Sequence, residues 1–134
     1  MRRKFMKVFR FVIVLVLALF ALNSRAVTPF EGTYDYVDHS FDGKAELVGW
    51  TGTMEIRGDV INRSFTSPDG SIKKFYNGTL KQDGNIYILT ITDSHKKEYI
   101  GNTHRNVFTY DPTSFKFTLV SEDGKFKETW KKHE

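Results

Sequence analysis

The side chains best suited to catalysis form one short run, Asp38, His39 and Ser40. These are the three residue types of a serine-hydrolase triad. In an extended strand, however, neighbouring side chains point to opposite faces, so the three residues cannot assemble a triad among themselves. A distant acid or serine would be needed to complete one, and no motif in the sequence points to it. We therefore expect no catalytic residue and no enzymatic activity.

The remaining histidines lack the spacing of metal ligands. His95, His104 and His133 lie near predicted turns or the C-terminus, and the chain has no cysteine. No HxH or HExxH motif is present, and the glycines are scattered singly rather than gathered in a phosphate-binding loop. We expect these histidines at the surface, with no metal site and no cofactor.

Aromatic side chains are the strongest candidates for ligand contacts. After residue 26 the chain has eight Phe, six Tyr and two Trp residues. A buried phenol needs a hydrogen-bond partner, and a bound ligand can supply one. The alternative is that the aromatic residues only fill the core. The residues that we expect to contact a ligand are Tyr34, Tyr36, Trp50, Met54, Tyr76, Tyr110 and Trp130.

The first 26 residues have the pattern of a secretory signal peptide. Basic residues without any acid precede an uninterrupted apolar run over residues 11–22, and Ser24 and Ala26 occupy the −3 and −1 positions of a cleavage site. That apolar run is too short to cross a bilayer comfortably. We expect cleavage after Ala26, so that residues 1–26 are the signal peptide and residues 27–134 form one domain. Arg2 and Arg3 also fit a twin-arginine motif, which leaves the export route open.

The charge after residue 26 argues against nucleic-acid binding. Residues 27–134 contain 14 basic and 16 acidic side chains, a net charge of −2, whereas the whole chain carries +4. No basic stripe remains to neutralise phosphates. The absence of cysteine in an exported chain favours a bacterial protein. We therefore expect a periplasmic or secreted protein with no nucleic-acid partner and no membrane association after cleavage.

Short alternating segments between turns predict a β protein. Pairs such as Asp42-Gly43, Asp83-Gly84 and Asp123-Gly124 favour tight turns, and apolar residues alternate with polar ones between them. No segment after residue 26 has a helical stripe. The predicted strands are about 31–38, 47–57, 59–66, 71–81, 85–92, 97–101, 105–110, 114–121 and 125–131.

Eight or nine antiparallel strands joined by tight turns can form a closed barrel or a two-sheet sandwich. Closure removes the exposed edges that promote aggregation. Sequential hairpins without a long crossover favour an up-and-down barrel of about eight strands, with the β-sandwich as the alternative.

The run Phe30-Glu31-Gly32-Thr33-Tyr34 resembles the opening of lipocalin-like (calycin) barrels. Those families begin with a Gly-x-Trp strand that plugs one end of the barrel, and Tyr34 stands in the Trp position here. The resemblance implies a barrel whose interior or mouth accepts a small apolar molecule. Our first hypothesis is therefore an exported barrel that binds a small apolar or amphipathic ligand. The alternative is an exported interaction module, an inhibitor or accessory subunit with a packed core and a protein partner.

Overall fold

The computed structural model describes residues 30–133, and the predicted signal peptide lies outside the described residues. Over this range the regular structure is β-strand, with one 3₁₀ turn at Lys97–Tyr99. No helix between residues 30 and 133 is long and apolar enough to cross a membrane. The strands are β1 (Gly32–Phe41), β2 (Lys44–Glu46), β3 (Thr51–Arg57), β4 (Val60–Thr66), β5 (Lys73–Asp83), β6 (Ile86–Ser94), β7 (Thr103–Asp111), β8 (Lys116–Ser121) and β9 (Phe126–Lys132).

The strands of the described range close into an antiparallel barrel. From β3 to β9 each strand pairs with the next, and β1 pairs with both β3 and β9. The short strand β2 pairs only with the end of β1, so eight strands form the wall. This confirms the predicted up-and-down barrel. A closed ring of paired strands is incompatible with the alternative, a two-sheet sandwich.

Alternation along each strand divides its side chains between the barrel interior and solvent. On β4, for example, Ile61, Arg63 and Phe65 are buried, while Asn62 and Ser64 between them are exposed. The apolar core comprises Tyr34, Met54, Ile56, Ile61, Phe65, Leu80, Tyr87, Leu89, Ile91, Phe108, Phe117, Leu119 and Trp130.

A β-bulge in β1 changes which residues face inward. The pairing with β9 shifts by one residue between Tyr36 and Asp38, so Val37 is an extra residue and its side chain is exposed. Tyr36 packs against the core before the bulge, whereas His39 and Phe41 line the interior after it. The inward positions therefore switch from even to odd numbers within one strand.

One end of the barrel is filled by aromatic rings. Phe30 makes edge-to-face contacts with Tyr87, Phe108 and Phe117, with ring centroids 5.5–5.8 Å apart. The Tyr34 hydroxyl donates a hydrogen bond to the Phe30 carbonyl, and burial raises the pKa of Tyr34 to about 12. Phe30 and Tyr34 together fill the interior at this end of the barrel.

Several segments differ from the predicted strands. The short strand β2 was not predicted, and β3 begins at Thr51 rather than at residue 47, because Leu47 and Gly49 adopt positive φ values of 52° and 78°. The predicted strand 97–101 is instead a 3₁₀ turn, in which the Tyr99 and Ile100 N–H groups donate to Lys96 and Lys97 carbonyls. The alternating pattern there is too short to distinguish a strand from a turn. Similarly, β8 begins two residues late, because Phe115 adopts a positive φ of 59° within the preceding turn.

Gly78 lies where strands β5 and β6 approach closely. An added Cβ would lie 2.3 Å from the Thr90 carbonyl oxygen and 2.8 Å from Leu89 Cδ1. Because a backbone oxygen cannot move aside cheaply, we expect Gly78→Val to lower the free energy of unfolding by at least about 1–3 kcal/mol. The control is Thr79→Val on the exposed neighbour, which should change it by less than about 0.5 kcal/mol. Urea unfolding measures both, and equal stability of the two variants would contradict the observed register.

Candidate functional site

A cavity of about 590 Å³ lies inside the barrel at the end away from Phe30. Four residues of β7 and the β8–β9 turn that line it are exposed and form part of its rim, namely Thr103, Arg105, Glu122 and Asp123. The apolar lining consists of Phe41, Leu47, Phe65, Tyr76, Leu89, Ile91, Leu119 and Phe126. The polar lining consists of His39, Arg63, Thr103, His104, Arg105, Asn106, Ser121, Glu122, Asp123 and Glu128.

A buried ion pair crosses the barrel interior beside this cavity. Arg63 Nη1 on β4 lies 3.0 Å from Glu128 Oε1 on β9, and the two side chains are 8% and 2% exposed. The two strands are not paired with each other, so the ion pair connects distant parts of the wall. The Trp130 Nε1–H donates to the same carboxylate oxygen at 2.7 Å. The indole and the guanidinium together fix the position of Glu128.

Two buried nitrogen atoms near this pair have no hydrogen-bond partner among the described residues. They are Arg63 Nε and His39 Nδ1. His39 is the register partner of Glu128, and its ring lies 4.6 Å from the Phe126 ring. Unpartnered buried polar groups are uncommon in proteins, and their occurrence calls for an explanation such as a bound molecule. Both of these residues line the cavity.

The charged groups at the cavity rim are held by ion pairs or hydrogen bonds within the chain. Arg105 forms hydrogen-bonded ion pairs with Glu122 at 2.9 Å and with Asp83 at 3.2 Å. Asp123 accepts hydrogen bonds from the Ser121 hydroxyl and the Lys125 N–H, which lower the pKa of its carboxyl. The rim therefore carries both signs of charge in close contact.

His104 contributes an uncharged ring to the lining. Although His104 is partly exposed at the rim, desolvation lowers its pKa, and the nearby Arg63 guanidinium lowers it further. Both effects disfavour the imidazolium. His104 is therefore neutral at pH 7 and can donate or accept one hydrogen bond.

Three of the predicted ligand contacts lie in or directly below the cavity. Tyr76 lines it, with the Arg63 guanidinium 5.5 Å from its ring. The ring of Tyr99 from the 3₁₀ turn stacks on Tyr76 at 6.1 Å. Tyr36 and Trp130 form an aromatic layer beneath the ion pair, with ring centroids 5.6 Å apart.

The other four predicted contacts lie elsewhere. Tyr34 and Met54 belong to the packed core of the barrel and do not line the cavity. Trp50 precedes β3 and lies half-buried, with Lys74 Nζ 5.3 Å from its ring. Tyr110 lies near the C-terminal end of β9, where Lys132 Nζ is 5.3 Å from its ring. Tyr76 is thus the member of the predicted set that the cavity lining includes.

Sequence reasoning missed the polar centre of the site. Arg63 occurs between Ile61 and Phe65, and Glu128 occurs between Phe126 and Trp130, each on the apolar face of a strand. A charged residue on an apolar face is costly unless it is paired. The presence of two opposite charges in such positions could therefore have indicated a buried ion pair. The sequence does not show, however, that these two residues meet across the barrel.

No protein-family model, curated protein or solved structure matches this chain. Residues 30–133 also contain no group of three or more His, Asp or Glu side chains placed to hold a metal ion. The geometry of the cavity is therefore the evidence from which a function is argued.

Removal of Arg63 should leave Glu128 as an uncompensated buried charge. We expect Arg63→Ala to lower the free energy of unfolding by about 3–5 kcal/mol. The control is Arg57→Ala, which removes the exposed bridge to Glu55 and should cost less than about 1 kcal/mol. Urea unfolding of both variants measures the two losses in free energy of unfolding. Similar small losses in the two variants would show that the interior pair is solvated and weak.

Proposed function

We propose that this chain is a small exported barrel that binds one apolar or amphipathic molecule in the cavity beside Arg63 and Glu128. The observation that carries the proposal is the cavity itself. Its volume of about 590 Å³ falls within the range of about 300–1,000 Å³ that is typical of small-molecule sites. Its lining combines eight apolar residues with ten polar ones, so it can contact both parts of an amphipathic molecule.

The contrast between the two ends of the barrel supports this proposal. An eight-stranded barrel is narrow enough for side chains to fill its interior. At the Phe30 end, aromatic rings do so. At the other end the interior is not filled, although Leu89, Ile91 and Leu119 present apolar surface to it. We infer a role in binding rather than catalysis, because neither histidine of the lining, His39 or His104, is hydrogen-bonded to its serine, Ser121.

Exposed apolar side chains favour a second candidate, an interaction module with a protein partner. Phe41, Val48, Ile72 and Ile100 are each between 45% and 75% exposed. All four lie at the cavity end of the barrel, where they extend the apolar surface beyond the cavity. Exposed apolar groups clustered at one end are typical of protein contact sites.

Native mass spectrometry of the protein purified from its own host tests export and distinguishes the two candidates. We expect the mass of a polypeptide whose first residue is Val27, because the signal peptide is predicted to be cleaved after Ala26. We also expect an additional mass of small-molecule size, since the cavity holds a ligand in the binding proposal. A full-length chain would contradict export, and a bound protein subunit without a small molecule would favour the interaction module.

Titration with the neutral probe N-phenyl-1-naphthylamine tests binding in the cavity. Probe emission should rise saturably, and Ile91→Trp should weaken binding by about tenfold or more because the larger ring occupies the cavity. The control is Ile88→Trp, three residues earlier on the opposite face of β6, which should leave binding unchanged within about twofold. Circular dichroism verifies that both variants are folded. Absence of saturable binding, or equal binding by both variants, would contradict the proposal.

A further inference from the structure

We propose that the cavity selects uncharged amphipathic ligands and receives their hydrogen-bonding oxygen at the Arg63–Glu128 pair. This inference rests on the binding function proposed above and specifies the chemical class of its ligand. Ligands of this class have an apolar body that fits against Leu89, Ile91 and Leu119. Their head group carries an uncharged oxygen, such as that of a hydroxyl or carbonyl group.

The charge distribution of the lining disfavours an ionic head group. The Arg63 charge is balanced by Glu128 at 3.0 Å, and the Arg105 charge is balanced by Glu122 at 2.9 Å. A carboxylate placed against the Arg63 guanidinium would also meet the Glu128 carboxylate. An ammonium placed against Glu128 would equally meet the guanidinium. At the Arg63–Glu128 pair, either ion would therefore lose its water without gaining a free counter-ion, which is unfavourable in a desolvated site.

The hydrogen-bonding groups of the lining nevertheless require a polar ligand atom. Arg63 Nε is a donor without a partner, in a residue that is more than nine-tenths buried. A guanidinium has no acceptor function, so its partner must be an acceptor. His39 Nδ1 also lacks a partner, and a hydroxyl group can serve it in either tautomer. An uncharged oxygen meets these requirements without adding charge to the pair.

The test compares three ten-carbon probes that differ only in the head group. The probes are 1-decanol, decanoate and decylammonium, which compete at neutral pH with bound N-phenyl-1-naphthylamine. We expect 1-decanol to displace the reporter at a concentration about tenfold or more below that of either ion. Displacement by decanoate or decylammonium at an equal or lower concentration than 1-decanol would overturn the inference.

Charge-neutralising variants show whether the ion pair is responsible, since ions enter any apolar cavity poorly. Glu128→Gln leaves the guanidinium unbalanced, so decanoate should gain about tenfold or more relative to 1-decanol. Arg63→Gln leaves the carboxylate unbalanced, so decylammonium should gain by a similar factor. The control is Arg57→Gln on the exposed bridge, which should not change the order of the three probes.

The outcomes separate this inference from the proposed function. If the reporter does not bind the unmodified protein, the binding function itself fails. If the reporter binds but neither Gln variant changes the relative affinities, the pair does not select the head group and the inference alone fails. Should one Gln variant not fold, as shown by circular dichroism, the other variant and the order of affinities in the unmodified protein decide the result.

Discussion

The ion pair between Arg63 and Glu128 is the constraint on which the interior of this barrel depends. Two charges removed from water are tolerated only when their geometry is good and their other polar atoms are satisfied. Here the Trp130 indole supplies one additional hydrogen bond to the carboxylate. Because β4 and β9 are not neighbours, the pair also fixes the distance between two sides of the wall. Packed aromatic rings lie below it and the cavity lies beside it.

The barrel therefore has two ends with different chemistry. At one end Phe30 and Tyr34 fill the interior, and the Tyr34 hydroxyl has a partner within the chain, the Phe30 carbonyl. At the other end the lining includes Arg63 and His39, and each of these residues has a buried nitrogen without a hydrogen-bond partner. The difference between the ends is the physical basis for the binding role proposed for the second.

The sequence was sufficient to predict the closed barrel and most of its strands, because turn residues and period-two alternation are local signals. It was insufficient for the cavity, which depends on contacts between strands far apart in the chain. The bulge at Val37 illustrates the reason, since a single extra residue turns His39 inward against the regular alternation. The predicted contacts were chosen for aromatic character, and of these Tyr76 lines the cavity. Trp50 was expected to contact a ligand inside the barrel, but it precedes β3 and its ring lies beside the Lys74 ammonium group.

Pairing between the first and last strands has a consequence for how the chain is made. Barrel closure joins β1 to β9, so the wall cannot be completed until the C-terminal residues have been synthesised. Until then the edge of β1 that pairs with β9 lacks its partner strand, and the barrel interior is not closed around the aromatic residues. Contacts between distant parts of a chain also form slowly, because the loop between them must first be closed. The last step in forming the barrel wall, the pairing of β1 with β9, therefore has to follow the synthesis of almost the whole chain.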